Sequence, residues 1–261
     1  MKKVKPKTKK KNKIIICIAH AEKVLDIRFC LSLLGMQDYF YEWVIKNKRE
    51  DTLSVNTQRG YQIDKQRNQL VEVALMHEQT HLLFLDTDMG FGRDMIVRMI
   101  EDLEDNEDQG IEAITGLYFH KVEPYLPHIY ATWEKKGQSF GVSGAFPINN
   151  LFKVAGAGFG CLMIKAEVFK RTKEPWFLMG GELYGKKGLG EDLYFCRKSN
   201  VKMLCDTRLQ CEHYHSIPIT MDTYIKTNGL QIKDNQVIAT PEQLKSIGEL
   251  YEKTKPKGKP R

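Results

Sequence analysis

Apolar positions change their period several times along the chain. Ile14 to Ala19 form one continuous run rich in β-branched residues, the pattern of a strand covered on both faces. Glu22 to Leu34 reads as a helix ended by Gly35. Tyr39 to Asn56 is ambiguous, with room for one or two strands. Ile63, Leu70, Val71, Ala74 and Leu75 return at helical spacing, with Asp64 and Arg67 off that face. His81 to Leu85 predicts a second buried strand. Met95, Ile96, Met99, Ile100 and Leu103 predict an amphipathic helix, and Ile111 to Tyr118 a third strand. This β–α–β order predicts an α/β domain, a mostly parallel central sheet flanked by helices.

The second half reads differently. Residues 119–153 hold Pro124, Pro127, Gly137, Gly141, Gly144 and Pro147 with little helical period. Val154 to Ile164 is strand-like around Gly156-Ala157-Gly158-Phe159-Gly160, and a second glycine-rich stretch runs from Gly180 to Gly190. Long ordered loops in a compact domain usually serve function.

Composition narrows the class. A chain of 261 residues with 42% hydrophobic and 28% charged residues has the material for one large core, which excludes wholesale disorder and coiled coil. Its longest apolar run, Ile14 to Ala19, is far below membrane-spanning length, and the basic start leads into no signal-like core. Six cysteines without a CxxC pair predict buried reduced thiols and a cytoplasmic setting. Charge is unevenly spread. Residues 1–13 carry eight lysines and residues 253–261 five basic residues, neither with an acid. Taking those 13 from 40 basic residues leaves 27 against 33 acids, so the body 14–252 is −6. The expected organisation is therefore a single domain between two basic tails, which are either solvated or suited to a polyanion.

Three places look chemical. Asp86-Thr87-Asp88 follows the apolar run Leu82 to Leu85, which puts two carboxylates at the carboxyl edge of a parallel sheet, where such sheets bind ligands. Acids so close invite a neutralising cation such as Mg²⁺ or Mn²⁺, with substrate phosphates completing its shell. The competing reading makes them caps of the helix starting near Gly92. Glu191 and Asp192 follow a glycine-rich loop at a helix start, either complementing the helix dipole or offering a general base. His213 and His215, two apart on an extended segment, face the same way and could share a metal.

Taken in order, these features resemble a metal-dependent glycosyltransferase of the GT-A fold, closest to family-2-like members including compact ones from phage and viral genomes. The resemblance spans about residues 14–217. It rests on Gly60-Tyr61-Gln62-Ile63-Asp64-Lys65-Gln66-Arg67-Asn68, Phe84-Leu85-Asp86-Thr87-Asp88-Met89 and Thr115-Gly116-Leu117-Tyr118-Phe119. It continues through Gly156 to Ile164, Pro175-Trp176-Phe177, Gly190 to Cys196 and a final His213. It implies transfer of a single sugar from a nucleotide-diphosphate donor, a UDP- or GDP-sugar above others, to a hydroxyl. Asp86 and Asp88 would hold Mn²⁺ or Mg²⁺, with His213 or His215 as a further ligand. Ala19, His20 and Ala21 would line the base and ribose pocket, Asp64 and Arg67 would lie near the nucleotide, and Gly156 to Gly160, Gly158 included, would let the backbone approach the sugar. Trp176 would stack on a sugar or belong to the core. Asp192 would be the base of an inverting enzyme, and Glu191 would contact donor or acceptor.

Two departures matter. Ala19-His20 stands where family members often have proline, and Glu212 precedes the final histidine where a small residue is usual. Other readings stand beside this one. A sugar nucleotidyltransferase has a similar core, but residues 19–28 lack its glycine-rich phosphate loop. A nucleic-acid-binding protein would use the tails, and a glycosyltransferase with such tails could act on a polyanionic acceptor such as modified DNA.

Overall fold

The computed structural model describes residues 11–21, 24–134, 139–142, 144–180, 188–215 and 218–254. Most of both basic tails, and residues 181–187 of the second glycine-rich stretch, lie outside the described residues.

The first half builds β1 (Lys13–His20), α1 (Ile27–Lys46), β2 (Thr52–Arg59), α2 (Ile63–Met76), β3 (His81–Leu85), β4 (Met89–Gly90), α3 (Met95–Asp105) and β5 (Ala113–Leu117). Next come β6 (Ile129–Glu134), β7 (Ser139–Val142), β8 (Leu151–Val154), β9 (Gly156–Ala157), β10 (Cys161–Lys165), α4 (Ala166–Arg171) and α5 (Glu191–Ser199). The chain closes with β11 (Met203–Gln210), β12 (Glu212–Tyr214), β13 (Pro218–Ile219), α6 (Met221–Thr227), β14 (Gln231–Lys233), β15 (Gln236–Ile238) and α7 (Pro241–Thr254).

A seven-stranded sheet in the order β2-β1-β3-β10-β5-β11-β8 divides the molecule. Its inner strands β1, β3, β10 and β5 alternate their side chains between two covered faces, so their apolar runs are what burial on both sides requires, while the edge strand β2 is largely exposed. Ile14, Ile16 and Ile18 of β1 pack with Phe29, Met36 and Phe40 of α1 and with Met99 and Ile100 of α3. Ile15, Cys17 and Ala19 face the opposite way, into a core with Leu70 and Val71 of α2, Phe169 of α4 and Phe195 of α5. Five strands run in one direction. β10 pairs antiparallel with both β3 and β5, and β8 antiparallel with β11.

Three expectations need correction. The helix predicted from Glu22 to Gly35 begins at Ile27, capped by the Asp26 side chain, and runs through Gly35 to Lys46. Met36 and Phe40 lie beyond the glycine and are fully buried, and that packing outweighs glycine's helix penalty. The ambiguous stretch therefore ends one helix and forms a single strand, β2. Residues 119–153 are not wholly loop, because β6, β7 and β8 lie in them. The strand-like segment 154–164 splits, and its main part, β10, enters the sheet against its neighbours' direction. A parallel entry needs a crossover of a dozen or more residues, usually a helix, and residues 119–160 have no helical period to make one.

Candidate active site

The carboxyl ends of β1, β3 and β5 open at one edge of the sheet and carry His20, Asp86 and Tyr118 respectively. β3 is five buried residues, and the chain leaves it through Asp86, whose N–H donates to Gly160 O at 3.1 Å. Asp86 and Asp88 are not helix caps, since the residue preceding α3 is Asp94. The two-residue strand β4 then pairs with β12, setting His213 opposite Met89. That pairing brings the far end of the chain to Asp88. Gly90 permits it, because a Cβ there would run into the Tyr214 phenol and lie 3.2 Å from Glu212 Oε2.

Around Asp88 the donors are arranged in an unusual way. The Lys121 ammonium pairs with Oδ2. Oδ1 is buried and has no hydrogen-bond partner among the described residues, and His213 Nε2 faces it at 3.6 Å, beyond hydrogen-bond reach. His213 Nδ1 lies 2.6 Å from Phe119 O. A carbonyl only accepts, so Nδ1 carries the hydrogen and Nε2 presents a lone pair whenever the ring is neutral. Burial works to raise the Asp88 carboxyl, but His213 and Lys121 outweigh it and hold the group at about 2.

Arg67 organises the other acids. It is 5% exposed on α2, and donates through Nη1 to Glu191 Oε1 at 2.5 Å and through Nη2 to Asp86 Oδ1 at 3.1 Å. Its guanidinium lies 5.2 Å from the centre of the Phe159 ring. Burial opposes its charge, yet Asp86, Glu191 and Asp192 around it raise its pKa. Asp192, one residue into α5, is pushed up to about 7, first by burial and then by the Glu191 charge, with Arg67 acting against both. Two acids at one helix start thus sit differently: Glu191 is paired with Arg67, while burial and the Glu191 charge hold Asp192 well above the ordinary carboxylate range.

Two clefts meet at Thr87 and Asp88. One, of about 330 Å³, is lined by Ala19, His20, Ala21, Arg67, Asp86 and Glu191. The other, of about 390 Å³, is lined by Val24, Arg28, Tyr214 and His215. Gln66 shapes the first by donating to His20 O and Gln58 O at 2.8 and 2.6 Å, which ties α2 to the ends of β1 and β2.

The structure gathers most of the expected residues and moves others away. Ala19, His20, Arg67, Asp86, Asp88, Glu191, Asp192 and His213 share this edge, and Arg67 lines the first cleft while bridging Glu191 and Asp86 with two of its five N–H donors. Asp64 is not at the cleft, since its carboxylate accepts from Met179 N at 3.1 Å. Gly158 is buried, and the space above it belongs to protein: a Cβ there would overlap the Tyr118 hydroxyl and lie 3.1 Å from His128 Nδ1. The glycine run thus admits the Tyr118 ring, whose hydroxyl accepts from Gly160 N at 2.9 Å. Trp176 is 3% exposed, and its indole N–H donates to Phe169 O and Thr172 O, so it is a core residue. His215 is exposed at the mouth of the second cleft. Among the described residues, no three His, Cys, Asp or Glu side chains converge as a ready metal cage. Sequence reasoning missed Lys121, Tyr118 and Gln66. Tyr118 and Gln66 lay within the motifs of the resemblance without a role of their own, whereas nothing local marks Lys121.

The fold and the site define an α/β protein with a carboxylate-rich centre at the carboxyl edge of its sheet. Among solved structures it is similar to A197 from STIV, with 21% sequence identity and a TM-score of 0.53, over 81% of this chain and 91% of that one. That likeness is one of fold. No protein-family model matches the chain, and no curated protein matches it in sequence.

Proposed function

We propose that the chain is a metal-dependent glycosyltransferase of the GT-A type, moving one sugar from a nucleotide-diphosphate donor to a hydroxyl acceptor. The observation that carries the reading is the pair formed by the orphaned Asp88 Oδ1 and His213 Nε2. With the His213 ring neutral, its Nε2 lone pair and Asp88 Oδ1 face each other and favour a cation between them, and the His213 Nδ1 bond to Phe119 O is the outer support typical of a metal-bound imidazole. These residues fit Mn²⁺ or Mg²⁺, hard ions satisfied by few protein ligands when phosphate oxygens and water complete the shell. Asp88 and His213 would hold the ion, with Asp86 and His215 within the same edge as further donors. A bound divalent ion would neutralise the diphosphate as it leaves.

The remaining work falls to the chain's own side chains. Ala19 and His20 bound the cleft suited to base and ribose, of a UDP- or GDP-sugar first. Lys121, beside Asp88, can turn its ammonium to a phosphate oxygen. Arg67 fixes Asp86 and Glu191 in place on the wall of the cleft. Asp192 accepts the proton of the attacking hydroxyl, which fits an inverting transfer. The ten basic residues of 1–10 and 255–261 suit a polyanionic acceptor, such as DNA bearing a modified base. No helix among the described residues is long and apolar enough to cross a membrane.

The test is donor hydrolysis, screened over UDP-, GDP-, CMP- and dTDP-sugars with Mn²⁺, Mg²⁺ or EDTA. Slow, metal-dependent release of one nucleotide, lost in Asp88→Ala, is the expected result. Equal release in EDTA, or an unchanged Asp88→Ala, overturns the metal role. No release and no thermal shift with any nucleotide overturns the class.

A further inference from the structure

Helix α1 is apolar on two opposite sides. Its inner face buries Phe29, Met36 and Phe40 against the sheet. Its outer face carries Ile27, Leu31, Leu34, Tyr41 and Ile45, which are 67%, 60%, 57%, 39% and 76% exposed. With Asp38 these six positions alternate steps of four and three residues along the helix, the spacing of a two-helix seam. A surface helix of a monomer normally turns charged residues outward, and one apolar all round is normally covered.

We propose that this face is covered by the same face of a second copy, with the two α1 helices antiparallel across a two-fold axis. The spacing is self-complementary. With the axis between Gly35 and Gln37, Ile27 of each copy meets Ile45 of the other, Leu31 meets Tyr41, and Leu34 meets Asp38. On the flank of the seam Arg28 of each copy comes to Glu42 of the other, and Gly35 comes to Gly35. Gly35 lies mid-helix, and a Cβ there would touch nothing within its own chain. The bare position thus falls where two helices cross most closely. Arg28 already bonds Asp26, and Glu42 bonds Arg93 at 3.0 Å, but these pairs are exposed and can be shared at little cost. Direction follows from the acid. A parallel pair would set Asp38 against Asp38, whereas the antiparallel pair sets it against an apolar neighbour and leaves its carboxylate to reach the seam's edge. Asp38 and Glu42 also tell against an anionic lipid surface as the occupant. A single pair of helices is a small contact beside the roughly 1,200–2,000 Å² that stable interfaces bury, so a weak, dissociable dimer is expected. Such an isologous contact closes on itself and reaches the second cleft only at its rim, through Arg28, which also stacks 3.8 Å from the centre of the Tyr214 ring.

The experiment is sedimentation equilibrium of the full chain up to hundreds of micromolar, with circular dichroism on every variant. The wild type is expected to show a monomer–dimer equilibrium, abolished by Leu34→Glu with the fold intact. Asp38→Leu is expected to tighten it by about tenfold or more, since it replaces the seam's only charge with a buried apolar group. Arg28→Glu weakens the dimer, and adding Glu42→Arg restores it. A wild type that stays monomeric at every concentration overturns the proposal, as does a dimer indifferent to Leu34→Glu. A charge reversal that the second substitution does not rescue overturns the antiparallel register. A monomer that binds neutral phosphatidylcholine vesicles through this face also overturns it, in favour of a lipid surface.

Discussion

At the scale of single residues, the site depends on how its charges are shared. Among the described residues Arg67 is the one cation bonded to both Glu191 and Asp86, so Arg67→Ala leaves a buried carboxylate without this partner. The expected cost is about 3–5 kcal/mol in a denaturant titration. Arg67→Lys is expected to recover only part of it, because a single ammonium lacks the forked geometry that serves two acids. Asp192 makes a different prediction. Burial, then Glu191, raises it to about 7, so the folded chain binds this proton more tightly than the unfolded chain does. Stability therefore falls as pH rises from the ordinary carboxylate range through 7, and the loss is complete above it. Asp192→Asn is expected to raise the melting temperature at pH 8 more than at pH 5. If Asp192 is the base, the same variant slows transfer by about 10²–10⁴-fold while donor binding persists, and wild-type kcat/KM climbs with pH through about 7. The two readouts separate a structural acid from a catalytic one. What could be read in the sequence here was local. Two acids after a buried strand announce themselves, whereas Arg67 meets Glu191 across 124 residues of chain and Lys121 meets Asp88 across 33. No window of sequence contains those pairings.

At the scale of elements, α1 shows where periodicity succeeds and where punctuation misleads. A glycine after an amphipathic stretch looks like a stop, but a stop also needs a left-handed backbone or a lost core contact, and Gly35 has neither. Its flexibility is a liability to the isolated subunit. Gly35→Ala is expected to stabilise the monomer by about 0.5–1 kcal/mol in thermal unfolding below the dimerisation range. The buried strands β1, β3 and β5 were legible because a strand covered on both faces has to be a short apolar run. The strands between 129 and 157 were not, since they are short and glycine-broken and gain their order from tertiary pairing, not from propensity. For the same reason sequence left Trp176 open between a sugar platform and the core, where the structure puts it, and did not name Tyr118 as what comes close to Gly158. A glycine needed for close approach does not say what approaches, and a tryptophan does not say which side of the surface it is on.

At the scale of the whole molecule, charge and topology set the remaining behaviour. Removing residues 1–10 and 255–261 takes away ten basic residues and moves the formal charge from +7 to −3. If those residues hold a polyanionic acceptor, its binding weakens at low salt and the salt dependence flattens, while donor hydrolysis is unchanged. Parallel binding titrations at two ionic strengths, with intact and trimmed chain, check this. The parallel half of the sheet was foreseeable from the β–α–β order, but the late antiparallel strand was not, and its placement governs how the chain is made. β10 lies between β3 and β5, which do not pair with each other. Until residue 165 has left the ribosome, β3 has one open edge and β5 has no neighbour at all, since β11 comes later still. The first hundred and sixty residues must therefore wait, with apolar strands exposed, for one five-residue segment to join the two halves. Synthesis of this protein passes through a long interval in which aggregation competes with completion, and cooler, slower expression or a holding chaperone works on that interval.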